Sequence, residues 1–516
     1  MRKIGFIILI AGLAIAVGCG GSSSTSNNST IPVGPTNPTN PTNPAVAECI
    51  QFLDNSYFWG SVKLADVRIG GTLGLPAGGT PVVNVAPLVV DAGPVSATNP
   101  QVNVSFVTVQ VCAPGTSTCV TLDHVAVDTG STGLRIPAEL LTSLSLPNVY
   151  SNTTPTSTGG TNDGSEFAGS VPIMVMGDTS IPSAPSSCST VTTISGAQQT
   201  GTVENTVAQL GAKGLIGVGN YQYDCDVPGA PLASGFGTFG IGSSNPCSPS
   251  SSNTTAIPGT YYTCSSSSCT EALVSGPQQV QNPVALFTDN NGVIMQLPSV
   301  QTGVGALNAS GSLVFGIGTQ NGALNNNGLG SAIVLPLDQT YADDAWLGIT
   351  TQFGTNYYPP LGIYTVTNYA GSASFFDSGS NGIYFLDQPT LRTAGFGAIV
   401  DCTSTDSTGW YCPSSTASLT AATQAISNGT LGNSTPASFS VTSASTLFTN
   451  NPTFTAFSDL AGPNSPGSRL NSSTRLADEY FDWGLPFFYG KSVYTAIWGV
   501  TPPSGSGVPA GPFWAY

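Results

Sequence analysis

The sequence contains a single histidine, His124, and no pair of cysteines at C-x-x-C spacing. Zinc needs several nitrogen or sulfur ligands held close together, and no such set can be assembled here, so no metal or other cofactor is expected. His124 lies four residues before Asp128 and beside Asp123. A histidine entering a strand reads as a structural residue, not as half of a catalytic triad. Charge is equally scarce: Asp, Glu, Lys and Arg make up 7% of the chain, and the net charge is −16. Removing Arg2 and Lys3 with the N-terminal segment leaves 8 basic residues against 26 acidic ones, a net charge of −18. Such a surface repels a phosphate backbone, which excludes nucleic acid as a partner. The acidic pairs Asp343-Asp344 and Asp478-Glu479 read as solvated loops, not calcium ligands. The apolar run Ile4 to Val17 has fourteen residues, short of the roughly 20 that a membrane-spanning helix needs. A sustained helical period is also missing, apart from Pro137 to Leu146.

What the N-terminus does have is an export pattern. Arg2 and Lys3 precede the apolar run, which has the length of the hydrophobic region of a secretory signal. The text Ala16-Val17-Gly18-Cys19 resembles the lipobox of bacterial lipoproteins. That resemblance implies removal of residues 1–18, lipidation of Cys19 and attachment to a membrane through the lipid. Gly20, where inner-membrane lipoproteins carry Asp, points to the outer membrane or cell surface. Residues 19–45 read as a tether, because Ser, Thr, Asn and Gly cannot pack and the repeated TNP triplets favour an extended polyproline II chain.

Beyond the tether, short apolar runs such as VNVSFVTVQV (102–111), GSLVFGIG (311–318) and SASFFDSG (372–379) alternate with Gly-, Asn- and Pro-rich turns. Short strands between turn clusters predict an all-β fold. With Cys19 assigned to lipid, ten cysteines remain, an even number suited to disulfides in an oxidising compartment. Cys112/Cys119, Cys264/Cys269 and Cys402/Cys412 are close enough in sequence to staple hairpins or loops. Cys49, Cys188, Cys225 and Cys247 then remain and can pair in three ways, of which Cys225 with Cys247 and Cys49 with Cys188 is one.

The most informative feature is an internal repeat. Residues 127–134 read V-D-T-G-S-T-G-L and residues 376–383 read F-D-S-G-S-N-G-I. One D-[ST]-G in a chain with 62 glycines is an ordinary turn. Two copies 249 residues apart, each after an apolar strand and with no third copy anywhere, are a different matter. Two carboxyls held together cannot both ionise readily, so they share a proton and titrate as a pair. One can then act as base toward a water while the other donates to a carbonyl oxygen. Asp128 and Asp377 are the candidate catalytic residues. Gly130 and Gly379 would let the turns pass closely, and the hydroxyls of Thr129, Ser131, Ser378 and Ser380 would hold the carboxyls in plane. This chemistry needs neither histidine nor metal.

On these motifs the chain resembles the pepsin-like aspartic proteases. G-L-I-G-V-G at 214–219, G-S-L-V-F-G at 311–316 and W-G-L-P-F-F-Y-G-K-S-V-Y at 483–494 fall in the order of that family's later landmarks. The chain is also similar to a family of bacterial lipoproteins known as a domain of unknown function. That similarity rests on HVAVDTGSTGLR, QQVQNPVALFTDNNGVIMQLPSV, FGIGTQ, FFDSGSNGIYF, WYCPSS, DWGLPFF and GPFWAY. The pepsin-like resemblance implies a bilobal double β-barrel with a cleft between lobes at 85–304 and 305–516, where a peptide or protein substrate would lie.

The pattern departs from that family in places. Its cleft is covered by a flap hairpin that follows the first aspartate, whereas the matching text here, at 49–71, precedes Asp128. Residues 46–72 are therefore expected to form a displaced flap-like hairpin, and 148–168 a loop. The family's flap Tyr, which interacts with a Trp, corresponds to Phe52, with Tyr57 or Trp59 as substitutes, and the Trp position is Arg135. The second hydrophobic-hydrophobic-Gly has become Asp482-Trp483-Gly484. The functional expectation is a surface aspartic-type endopeptidase. The alternative is a non-catalytic binding or structural lipoprotein that keeps the same scaffold.

Overall fold

A computed structural model describes residues 44–516, except 52–55, 76–77, 95–99, 150–155, 158–163, 193–197, 225–260, 273, 275, 323–324, 338–348, 359–373, 404–406, 428–429 and 465–479. The protein is mostly β-sheet with few helices, as the alternation of short apolar runs and turns predicts. The longest helix among the described residues, Ala444–Asn450, has seven residues.

Eight strands organise the first part of the chain: β1 (Ala45–Gln51), β2 (Ser56–Gly70), β3 (Val85–Val90), β4 (Ser105–Cys112), β5 (Cys119–Asp128), β6 (Thr132–Pro137), β7 (Thr156–Ser157) and β8 (Ser165–Met176). In β4 the buried Val107, Val109 and Val111 alternate with the partly exposed Thr108 and Gln110, the two-residue period of a strand with one face on the core. β2 is buried along most of its length because it has neighbours on both edges. It pairs antiparallel with β8 from Gly60↔Met176 to Gly70↔Ser165, and also with β1 and β4.

β3 connects this region to the rest. It pairs with β4 on one side and with the strand Ala309–Phe315 on the other. From there the sheet continues through Gly292–Gln296, Ser492–Ala496 and Phe513–Ala515 to Val334–Pro336. One continuous apolar core runs beneath these strands, from Val67 and Val109 through Phe315 to Phe385, Phe481 and Trp483.

The structure corrects three expectations. The helical period at Pro137 to Leu146 yields only a 3-10 turn at Ala138–Leu140, followed by a four-residue turn closed by Leu144 N–H on Leu141 C=O. Thr142, Ser143 and Ser145 are weak helix formers, and Pro147 restrains the residue before it. The stretch 148–168, expected to be loop, contains strand: β7 and β8 form a hairpin with Thr156 opposite Gly169. The expected flap at 46–72 is indeed a hairpin of β1 and β2, but β2 is an interior strand of the sheet, not a free cover.

Four of the expected disulfides are present: Cys49–Cys188, Cys112–Cys119, Cys264–Cys269 and Cys402–Cys412. Cys19, Cys225 and Cys247 lie outside the described residues.

Candidate active site

Each copy of the repeat ends a strand and begins another, and a third strand is inserted between the two. β5 ends at Asp128 and β6 begins at Thr132. The strand Leu215–Val218 lies parallel to β5 and antiparallel to β6, with Gly217 opposite Asp128. The second copy repeats the arrangement. Phe375–Asp377 runs parallel to Asp482–Gly484, with Gly484 opposite Asp377, and Asp482–Gly484 runs antiparallel to Ile383–Phe385. The sheet register therefore places Asp128 and Asp377 at equivalent strand ends.

The two loops grip each other reciprocally. Thr129 N–H donates to Ser378 Oγ (3.1 Å), and Ser378 N–H donates to Thr129 Oγ1 (2.9 Å). Ser378 Oγ then donates to Val127 C=O (2.9 Å), and Thr129 Oγ1 donates to Phe376 C=O (3.2 Å). These hydroxyls are buried, and each hydrogen bond has a counterpart from the opposite loop. The loops approach so closely that glycine is required at their tips. A Cβ on Gly130 would lie 2.7 Å from Asp377 Cγ, and one on Gly379 would lie 2.7 Å from Asp128 Cγ.

The carboxyl groups meet in the space this leaves. Asp128 accepts from Gly130 N–H (2.7 Å) and from the Ser131 hydroxyl. Asp377 accepts from Gly379 N–H (2.7 Å) and is joined to Ser380 Oγ (2.8 Å). The two carboxyls also act on each other directly, a contact that becomes a hydrogen bond once one of them holds a proton, and both residues are fully buried. Burial pushes Asp128 above the usual carboxylate range, while its hydrogen bonds and the more distant Arg135 act in the opposite direction. Asp377 is pushed well above that range by burial, and then by the charges of Asp128 and Asp482.

The supporting residues named from sequence, Thr129, Gly130, Ser131, Ser378, Gly379 and Ser380, are all brought together here. The flap candidates are not. Phe52 lies outside the described residues. Tyr57 and Trp59 pack in a cluster with Tyr262 and the Cys49–Cys188 disulfide, and the Trp59 indole N–H donates to Pro182 C=O (2.9 Å). His124 is also accounted for: its Nε2 lies 3.2 Å from Asp91 Oδ2, and that hydrogen bond raises its pKa above the ordinary value. Asp343, Asp344, Asp478 and Glu479 lie outside the described residues.

Two sets of residues near the pair were not recognised from the sequence. Arg135 is buried and donates to Glu48 Oε1 (2.8 Å), Asp224 Oδ1 (3.0 Å) and Thr132 C=O (2.7 Å). Burial opposes its charge, but Glu48 and Asp224 outweigh that and hold the guanidinium protonated. The other is Asp482, one hydroxyl away from Asp377 through Ser380. An acidic residue inside the apolar run F-D-W-G was the available signal. A cavity of about 460 Å³ lies elsewhere, between Ser299, Ile383, Phe439, Phe487 and Lys491, and neither aspartate of the pair lines it.

No curated protein is similar enough to match. Among solved structures, the aspartic proteinase from Irpex lacteus is a weak likeness, at 15% identity and a TM-score of 0.33, covering 80% of this chain and 93% of that one. The model of the family described as "Protein of unknown function (DUF3443)" matches residues 80–235 and 231–516, most of the sequence, and the chain belongs to that family.

Proposed function

We propose that this protein is an aspartic-type endopeptidase in which Asp128 and Asp377 activate a water for attack on a peptide carbonyl. The observation that carries the proposal is the meeting of two buried, hydrogen-bonded carboxyls on reciprocally locked loops. In the mono-protonated pair one carboxylate takes a proton from the water as it attacks. The other carboxyl donates its proton to the carbonyl oxygen, and collapse of the tetrahedral diol releases the amine with a proton returned from the pair. The positive charge of Arg135 favours Asp128 as the base, and the acidic surroundings of Asp377 favour it as the proton donor. Residues 85–304 and 305–516 would be the two lobes of a pepsin-like double barrel, with an extended peptide or protein substrate between them. Cys19 would carry the lipid that anchors the protein at the outer membrane or cell surface, behind a tether at 19–45.

One observation favours a second reading, a binding or structural scaffold without catalysis. Both carboxyls are fully buried, so a substrate reaches them only after covering chain moves aside. A peptide-library assay on the folded full-length protein, from acid to neutral pH, separates the two. The peptidase reading expects acid-favoured cleavage that both Asp128→Asn and Asp377→Asn abolish and a statine-type inhibitor blocks. Absence of cleavage by verified folded protein across a broad library overturns it in favour of the scaffold.

A further inference from the structure

Asp482 needs an explanation that its neighbours do not supply. It is buried in the run Phe481-Asp482-Trp483-Gly484, on the strand that lies beside Phe375–Asp377. An isolated carboxylate there would lose its hydration without compensation. Its Oδ2 lies 2.6 Å from Ser380 Oγ, and the same hydroxyl lies 2.8 Å from Asp377 Oδ2. Its Oδ1 has no hydrogen-bond partner among the described residues. The titratable groups that act on or feel it are Asp377 and Asp128 from the two loops and Tyr384 from the strand Ile383–Phe385. The Tyr384 hydroxyl donates to Asn381 Oδ1 (2.6 Å). Arg135 is a cation that acts on Asp128, and it already holds Glu48 and Asp224.

Counting protons along this chain of oxygens is informative. There are four contacts: Ser131 with Asp128, Asp128 with Asp377, Asp377 with Ser380, and Ser380 with Asp482. Each needs one proton to be a hydrogen bond. The hydroxyls of Ser131 and Ser380 supply one each, which leaves two to come from the three carboxyls. The three aspartates together then carry one negative charge. Ser380 cannot donate to Asp377 and Asp482 at once, so one of these two must be a neutral acid.

We propose that Asp482 is a positioning residue which, through Ser380, holds a second proton beside the Asp128/Asp377 pair, so that the pair keeps its shared proton to higher pH than it would alone. Burial lifts Asp482 well above the usual carboxylate range, which suits a proton store. Once Asp482 has ionised, its charge makes the last proton of the pair harder to remove. This deepens the peptidase reading, but the proton count itself is measured without any substrate.

The test is an infrared titration of the full-length protein, following the carbonyl stretch of protonated buried carboxyls, for the wild type, Asp482→Asn and Ser380→Ala. The wild type is expected to retain two such carboxyls at a pH where exposed aspartates have ionised. Asp482→Asn should retain one, with its midpoint lower by about one pH unit, and the alkaline limb of kcat/KM should shift equally with KM unchanged. Ser380→Ala removes the hydroxyl whose hydrogen bonds lower both Asp377 and Asp482, so it should move the midpoint the opposite way, upward. A single protonated carboxyl in the wild type overturns the proposal, with no variant needed. So does an unchanged midpoint in Asp482→Asn shown by circular dichroism to be folded. Two protons without peptide cleavage would sink the peptidase reading and leave this one standing.

Discussion

The two aspartate loops have the same backbone and different surroundings. Both follow a strand, both accept from a glycine N–H two residues on, and each is locked by the hydroxyl of the other. Around Asp128 the packing is mainly aliphatic, from Val125, Val127, Leu134, Ile136 and Ile216, and a buried Arg135 is clamped by Glu48 and Asp224. Around Asp377 the packing is aromatic: Phe376 stands 5.0 Å from Phe487, and Phe481 stacks on Trp483 at 5.2 Å. The nearest additional charge-bearing group there is another acid, Asp482. A repeat in sequence thus sets equivalent carboxyl geometry, while the surroundings make one member the easier to ionise and the other the easier to keep protonated.

The largest effects should come from removing what is particular to each loop. Arg135→Leu strands Glu48 and Asp224 and should destabilise the protein by about 3–5 kcal/mol in denaturant unfolding. Trp483→Ala, which opens the aromatic side, should cost about 3–5 kcal/mol in the same measurement. A much smaller loss for Arg135→Leu would mean that the charge cluster is not what holds the first loop. Cutting the Cys49–Cys188 disulfide, which ties β1 to Cys188 across 139 residues, should cost about 2–5 kcal/mol.

The shared features should respond alike. Gly130→Ala and Gly379→Ala each drive a methyl into the opposite carboxyl and should each cost about 1–3 kcal/mol, seen as lowered unfolding midpoints and lost cleavage. Unequal losses would sharpen the comparison by showing which loop yields. Thr129→Ala and Ser378→Ala each leave a buried N–H of the other loop without its acceptor, at about 1–3 kcal/mol apiece. The double variant should cost less than the sum, because both hydroxyls serve one interlock.

The smallest effect concerns pH. Glu166 on β8 accepts from Thr288 N–H (2.9 Å), and burial, then the neighbouring Asp289, raises it to about 7. Its folded-state pKa exceeds the ordinary 4.5, so its stabilising contribution is complete below that value and is lost as pH rises toward 7. Thermal unfolding of Glu166→Gln across this range should fall less steeply than that of the wild type.

Much of the site was legible because its signals are local. D-T-G-S and D-S-G-S specify tight turns after apolar strands, and the close cysteine pairs lie within reach of one another on hairpins. Arg135 and Asp482 were read as departures from a pattern. What they contact depends on strands that lie far away in sequence: Glu48 is 87 residues from Arg135, and Ser380 is 102 from Asp482. The hairpin of β7 and β8 was missed because the Ser, Gly and Asn around Thr156 have little strand preference of their own, and pairing with β2 supplies the order.

By itself, the sequence determined a strand-rich chain, three short disulfides and two matching carboxyl turns, since alternation, turn chemistry and short spacing act over a few residues. Only the tertiary structure decided that these turns meet, that an arginine attends one and a third acid the other, and that Tyr57 and Trp59 belong to a core. Those outcomes depend on sheet register and on burial, which raises the cost of every unpaired charge, and neither is set until distant strands have packed.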